Sequence, residues 1–272
     1  MAGKYELGFI GAGNMAEGIL AAVVAQQLYP AEAIVASDPV AERRELFAQR
    51  FGIAVTDDNR QLVTDTKRVI WAVKPQSFDD VAAQLADVVR DDQLLISIMA
   101  GMSTKRIAAA FAGIKARVVR VMPNLPIKVG AGMSGLYGGE YATKQDITET
   151  QALFDAGGNS VVVQDEVLMD AVTAISGSGP AYFYAFVEAM VAGGTACGLS
   201  EADALKLAKC TCLGAARMML ESDEPPAELR RKVTSKGGTT QAALEYMANA
   251  GVNEAIRDAV RAAFERGRQL GA

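Results

Sequence analysis

Over its first two thirds the chain alternates short apolar runs with amphipathic stretches. Residues 7–10 read as a strand, 14–27 as a helix, 33–37 as a strand and 41–51 as a second helix. Strands are expected again at 69–73, 94–98 and 117–121, and Val161-Val162-Val163 is the last. Short runs rich in Val and Ile are what a parallel sheet covered on both faces requires. Strands alternating with helices build βαβ units, so the expected fold is a doubly wound α/β domain with a mainly parallel sheet.

The pattern changes near Asp165. From there the sequence is rich in Ala, Leu and Met at helical spacing, with breaks at Gly198, Pro225-Pro226 and Gly251. The expected division is a nucleotide-binding domain over 1–164 and an all-α domain over 165–272. Residues 181–193 are apolar almost all round, so a helix there should be buried on every side, in part against a partner subunit. The helical domain is therefore expected to dimerise.

Composition narrows the function classes. The 272 residues suit two domains at roughly 150 residues each. Lys plus Arg number 27 against 32 Asp plus Glu, a net charge of -5, which argues against nucleic acid or an anionic membrane as partner. Three cysteines, Cys197, Cys210 and Cys212, are too few and too odd for a disulfide framework and suit a reducing compartment. Cys210 and Cys212 are two apart on a helical stretch and do not face each other. With no histidine to complete a site, no metal is expected, and the cysteines read as small buried hydrophobes. The absence of histidine also removes Ser-His-Asp and Cys-His chemistry. The longest uncharged run, 171–187, holds Gly177, Gly179 and Pro180 and falls short of the ~20 apolar residues of a membrane span. The first residues lack a signal-like apolar stretch, so a cytoplasmic protein is expected.

The clearest motif is Gly8-Phe9-Ile10-Gly11-Ala12-Gly13-Asn14-Met15-Ala16, which ends the first strand and opens the first helix. Gly11 suits a tight turn, Gly13 lets the backbone approach a pyrophosphate, and Ala16 permits close helix–strand packing. After the second strand comes Ser37-Asp38-Pro39. An acid there bonds the ribose 2′-hydroxyl of NAD and repels the 2′-phosphate of NADP, so Asp38 favours NADH. Ser37 suits either cofactor, and Arg43 and Arg44 either offset the charge or form a solvated helix face, the reading preferred here. Trp71-Ala72-Val73-Lys74-Pro75-Gln76 would leave the sheet at its ligand-binding carboxyl edge. Ile175-Ser176-Gly177-Ser178-Gly179-Pro180-Ala181-Tyr182 is either a good helix start or something more specialised. Val233-Thr234-Ser235-Lys236-Gly237-Gly238-Thr239-Thr240 precedes an expected helix over 241–250. It would present N–H groups and hydroxyls at a helix N-terminus, either as a carboxylate cradle or as an ordinary capped hinge.

Taken with Asn59 and Met-Pro-Asn at 122–124, these motifs resemble the pyrroline-5-carboxylate reductase family in order and spacing, over the whole chain. The resemblance implies an amino-terminal Rossmann domain, a helical domain that interlocks into a homodimer, and further assembly, commonly to a decamer. It implies reduction of the cyclic imine L-1-pyrroline-5-carboxylate to L-proline with NADPH or NADH, the last step of proline biosynthesis. By the same resemblance Ile10, Gly11, Ala12, Gly13, Asn14 and Met15 wrap the pyrophosphate, and Ser37 and Asn59 approach the adenosine ribose. Ala72, Val73, Lys74 and Pro75 line the cofactor, and Ala100 and Gly101 lie near the nicotinamide. Ser235, Gly238, Thr239 and Thr240 bind the substrate carboxylate, and the Thr240 hydroxyl reaches the ring nitrogen as the catalytic group. Two departures stand out: Leu125 where Asn-Thr-Pro is common, which bears on substrate preference, and Lys236 where Pro is frequent.

Two other readings compete. A β-hydroxyacid dehydrogenase on the same plan generally needs a lysine on the helix joining the domains, and residues 165–187 contain none. A non-catalytic nucleotide sensor would account for the glycine turn but leaves Ser235 to Thr240 without a purpose.

Overall fold

The computed structural model describes residues 3–271. Among them are strands β1 (Tyr5–Ile10), β2 (Ile34–Ser37), β3 (Ala54–Thr56), β4 (Thr66–Trp71), β5 (Leu94–Ser97), β6 (Arg117–Met122), β7 (Gly132–Gly138) and β8 (Gly158–Val162). They form one sheet in the order β3-β2-β1-β4-β5-β6-β7-β8. Every neighbouring pair is parallel except β6 and β7. The order reverses between β1 and β4, the switch point at which doubly wound sheets open a crevice for ligand.

Alternation along each strand decides which core each side chain joins. Leu7 and Phe9 of β1, Ile70 of β4 and Ile96 of β5 face one apolar cluster, together with Ile19, Leu20 and Val23 of α1 (Asn14–Ala25). Ile10, Val69, Trp71 and Leu95 face the other, with Phe78, Ala82 and Leu85 of α4 (Phe78–Leu85). The sheet is thus buried on both sides, as its Val- and Ile-rich strands require. Helices α2 (Ala41–Phe51), α3 (Asn59–Asp65), α5 (Thr104–Ala109) and α6 (Lys144–Asp155) complete the layers.

Two strands were not expected. β3 has three residues at the sheet edge, and β7 carries Gly132, Gly135 and Gly138. Those glycines are there for space: a Cβ at Gly135 would lie 2.5 Å from Val172 Cγ1, and one at Gly138 would lie 2.8 Å from Ile147 Cδ1. The strand expected over 69–73 stops at Trp71, so Ala72 and Val73 already belong to the exit turn.

The remaining elements are α7 (Leu168–Val172), a π-helical turn (Thr173–Gly177), α8 (Gly179–Ala196), α9 (Glu201–Glu221), α10 (Pro226–Lys232), α11 (Thr239–Asn249) and α12 (Val252–Gly271). One compact unit runs through Ser178 and takes in the end of α12 from Ala263, and the other is Gly179–Ala262. Within the second unit α8 meets α9 closely, a Cβ at Gly194 falling 3.1 Å from Ala204 Cβ. The expected burial of α8 is not met within one chain. Phe183 and Tyr184 are 60% and 58% exposed, and Phe186 and Met190 are exposed as well. Nor are the cysteines buried in the chain taken alone, since Cys197 and Cys210 are exposed and Cys212 is half-buried.

Candidate active site

The first group of candidate residues gathers at the carboxyl ends of β1, β2, β4 and β5. Ile10 ends β1, Gly11 to Gly13 form the turn, and Asn14 and Met15 begin α1. Gly11 has φ +99, a left-handed backbone that suits glycine. Its amide donates to the Ser37 carbonyl at 2.8 Å, and a Cβ would stand 2.8 Å from the Ala72 carbonyl oxygen. The Ala72 amide in turn donates to the Ile10 carbonyl at 2.9 Å, so the exits of β1, β2 and β4 are tied together.

Gly13 is the opposite case. It is exposed, and a Cβ there would meet nothing within 4 Å. It is also the N-cap of α1 and supplies no side-chain cap. The first-turn N–H groups of a helix have no intrahelical partners, and with the helix dipole they form an anion site. An open space beside an uncapped helix N-terminus fits a dinucleotide pyrophosphate.

Around this turn the polar contacts differ from the simplest expectation. Ser37 is fully buried, and its hydroxyl donates to Asn59 Oδ1 at 2.6 Å, 3.3 Å from the Phe9 carbonyl oxygen. Ser37 therefore orients Asn59, the first residue of α3. Asp38 accepts from the Ala12 amide at 2.8 Å through Oδ2 and from the Val40 amide at 2.9 Å through Oδ1. Arg43 Nε donates to the Ala12 carbonyl at 2.6 Å, so an acid and a base hold the two faces of one residue in the glycine turn.

Arg43 also pairs with Glu17 at 2.9 Å, and that hydrogen bond is the main reason the Glu17 carboxyl lies below the usual glutamate range, with Lys128 adding to it. Arg44 donates to the carbonyls of Asp38 and Pro39 at 2.7 and 3.0 Å. The reading of Arg43 and Arg44 as a solvated face is thus replaced: Arg43 braces the glycine turn, and Arg44 holds the backbone that follows β2. These ties join residues up to 31 apart, and no local pattern announces them.

Further along the same edge, Lys74 is exposed and caps a short 3-10 turn starting at Pro75. Ala100 is exposed after β5, and Gly101 has φ +73 with its would-be Cβ 3.2 Å from the Leu270 carbonyl oxygen, in the last turn of α12. Trp71, the chain's single tryptophan, ends β4 and packs edge-on to Phe111 at 5.7 Å.

The second group lies in the other unit. Ser235 and Thr239 are exposed, and Gly238 and Thr240 are half-buried. Gly237 has φ +73, and its amide donates to Gln241 Oε1 at 2.7 Å. At Gly238 a Cβ would come 2.4 Å from Ser235 Oγ, so a side chain there would displace the Ser235 hydroxyl. Gly238 is the N-cap of α11 and supplies no side-chain cap, leaving first-turn N–H groups beside the hydroxyls of Thr239 and Thr240. This turn opens an 11-residue helix and has the chemistry of a carboxylate cradle.

Residues 166–270 match the family model described as pyrroline-5-carboxylate reductase dimerisation, and residues 6–101 match one described as NADP oxidoreductase coenzyme F420-dependent. A pyrroline-5-carboxylate reductase of Synechocystis sp. is 41% identical over 266 residues, covering 98% of each chain. A pyrroline-5-carboxylate reductase structure from Coxiella burnetii superposes with TM-score 0.94 at 33% identity, over 99% of both chains. A pyrroline carboxylate reductase structure from Plasmodium falciparum with NADP bound superposes with TM-score 0.87 at 26% identity, over 100% of both.

Proposed function

This chain is a member of the pyrroline-5-carboxylate reductase family, and on that premise we propose that it reduces the C=N bond of L-1-pyrroline-5-carboxylate to give L-proline, the last step of proline biosynthesis, using NADPH or NADH. The observation that carries the reading is a pair of uncapped helix N-termini. One opens α1 behind the glycine turn and the other opens α11 behind Gly237-Gly238. The first suits a pyrophosphate and the second a small carboxylate.

A bound dihydronicotinamide supplies the hydride. Ile10, Gly11, Ala12, Gly13, Asn14 and Met15 surround the pyrophosphate in this proposal, Asn59 reaches the adenosine ribose with Ser37 orienting it, and Ala72 to Pro75 line the cofactor. Ala100 and Gly101 lie beside the nicotinamide. Ser235, Gly238 and Thr239 hold the substrate carboxylate, and Thr240 holds the ring nitrogen through its hydroxyl. A chain without histidine suits this reaction. A protonated cyclic imine is already electrophilic, so the protein needs to supply orientation rather than a strong general acid. Orientation contributes up to ~7–11 kcal/mol in the best intramolecular cases.

NADH is the favoured donor in this reading, because Asp38 follows β2 and both neighbouring guanidiniums are engaged with protein groups. The working form is a homodimer through the carboxyl-terminal helices, with the exposed apolar face of α8 as its natural seam, assembling further toward a decamer in the cytoplasm. No helix among the described residues is long and apolar enough to cross a membrane. Mixing purified protein, NADH and L-1-pyrroline-5-carboxylate should yield proline mole for mole with oxidised cofactor. Cofactor binding without proline from NADH or NADPH would refute the reaction.

A further inference from the structure

The π-helical turn Thr173–Gly177, which opens the Ser176 to Tyr182 motif, and Met122-Pro123-Asn124 are left without a role by the proposed reaction. The turn ends with the Ser178 amide donating to the Thr173 carbonyl at 2.8 Å, a five-residue step. π-turns are uncommon and recur at functional sites. Two side chains of one row, Met122 and Asn124, meet this turn, and the third, Arg120, pairs with Glu166 and Asp170 just ahead of it. Residues at i, i+2 and i+4 of an extended segment share a face, and Arg120, Met122 and Asn124 fall at that spacing in β6 and its continuation.

Arg120 is 7% exposed and lies 3.3 Å from Glu166 Oε1 and 3.7 Å from Asp170 Oδ1. Met122 Cε fills the space beside Gly177, where a Cβ would stand 2.6 Å away. Asn124 is 8% exposed and uses both halves of its amide. Its Nδ2 donates to the Ser176 carbonyl at 3.1 Å and lies 3.3 Å from Ser176 Oγ. Its Oδ1 accepts from the Met133 amide at 2.9 Å, and Ser176 Oγ donates to the Met133 carbonyl at 3.2 Å. The result is a closed, part-buried set of hydrogen bonds joining the exit of β6, the start of β7 and the π-turn. It lies at the sheet edge where open α/β domains bind ligand, one strand over from the β5 exit that carries Ala100 and Gly101.

We infer that Asn124, acting through Ser176, is a positioning residue for hydride transfer: it holds the π-turn at the nicotinamide end of the crevice and so sets the approach of the reactants. The inference rests on the reaction proposed above. An alanine at 124 leaves the Ser176 carbonyl and the Met133 amide without their partner, and an alanine at 176 removes one hydroxyl from the same set.

The test compares the parent enzyme with Asn124→Ala and Ser176→Ala, measuring NADH affinity, kcat, and the isotope effect on kcat with NADH deuterated at C4. Expected in both variants are an NADH Kd within about three-fold of the parent, since the glycine turn is untouched. Also expected are a kcat at least about 10-fold lower and a larger isotope effect, because a misaligned hydride makes chemistry rate-limiting. Turnover within two-fold of the parent in either folded variant overturns the inference. So does a loss with an unchanged isotope effect that merely follows NADH affinity or melting temperature. If Asn124→Ala does not fold, Ser176→Ala decides by the same criteria. Absence of turnover in the parent refutes the reaction instead. Hydrogen exchange at amides 173–178 then still decides whether Asn124 holds the turn: faster exchange in Asn124→Ala supports it and unchanged exchange overturns it.

Discussion

Asp38 Oδ2 accepts a hydrogen bond from the Ala12 amide at 2.8 Å, so the acid that follows β2 is fastened to the middle of the glycine turn. Its carboxylate both shapes the turn and sets a negative charge where the adenosine ribose is proposed to lie. Asp38→Ala is expected to weaken NADH binding by about 10-fold, the lower range for a lost charged hydrogen bond. The same change is expected to shift the NADPH-to-NADH affinity ratio toward NADPH. Quenching of Trp71 fluorescence measures both affinities, and an unchanged ratio would remove Asp38 from cofactor selection.

The two glycines of the turn are expected to fail in different ways. Gly11→Ala forces a side chain into φ +99 and against the Ala72 carbonyl, costing at least about 1–2 kcal/mol of stability. Gly13→Ala meets open space and should melt like the parent. Its methyl nevertheless occupies the proposed pyrophosphate position, so it should bind neither cofactor measurably. Thermal melts paired with binding titrations separate the two cases, and a Gly13→Ala protein with parental affinity would contradict the placement.

Thr240→Ala should keep cofactor binding and slow turnover by roughly 10- to 150-fold, the range for one lost hydrogen bond to a charged group. Unchanged steady-state kinetics would take Thr240 out of the mechanism.

Acid should destabilise the nucleotide-binding unit through Glu6, Glu17 and Glu149. Hydrogen bonds from Lys67, Arg43 and Arg68 respectively are the largest cause holding each carboxyl below the usual value of 4.5. A carboxyl with a depressed folded-state pKa contributes stability above its unfolded pKa and loses it as pH falls through the folded value. Melting temperature is therefore expected to hold from neutrality to about pH 4.5 and then fall. Glu17→Gln should lower the neutral melting temperature and flatten that acid slope. A parallel slope in the variant would show that Glu17 takes no part.

Much of this architecture was legible because its signals are local. The glycine turn, α2 over Ala41–Phe51 and the helix breaks at Gly198, Pro225 and Gly251 all follow from neighbours in sequence. β7 escaped because three glycines in seven residues read as loop, and their reason, the crowding by Val172 and Ile147, is a tertiary one. The bracing of Ala12 by Asp38 and Arg43, and of the π-turn by Asn124, joins residues 26 to 52 apart. Such pairings have no signature in periodicity or propensity.

Phe183 on α8 is more than half exposed in the single chain, within the region matching the dimerisation family model. Phe183→Glu is expected to shift the protein toward monomer in sedimentation experiments, since a charge buried at an apolar seam costs several kcal/mol. An unchanged assembly would place the subunit contact elsewhere.

The reaction itself is tested most directly by following deuterium. With NADH deuterated at both C4 positions and L-1-pyrroline-5-carboxylate in ordinary water, each L-proline formed should carry one deuterium at C5, the former imine carbon. Proline formed without that deuterium, or cofactor oxidised with no proline at all, would contradict direct hydride transfer to the imine.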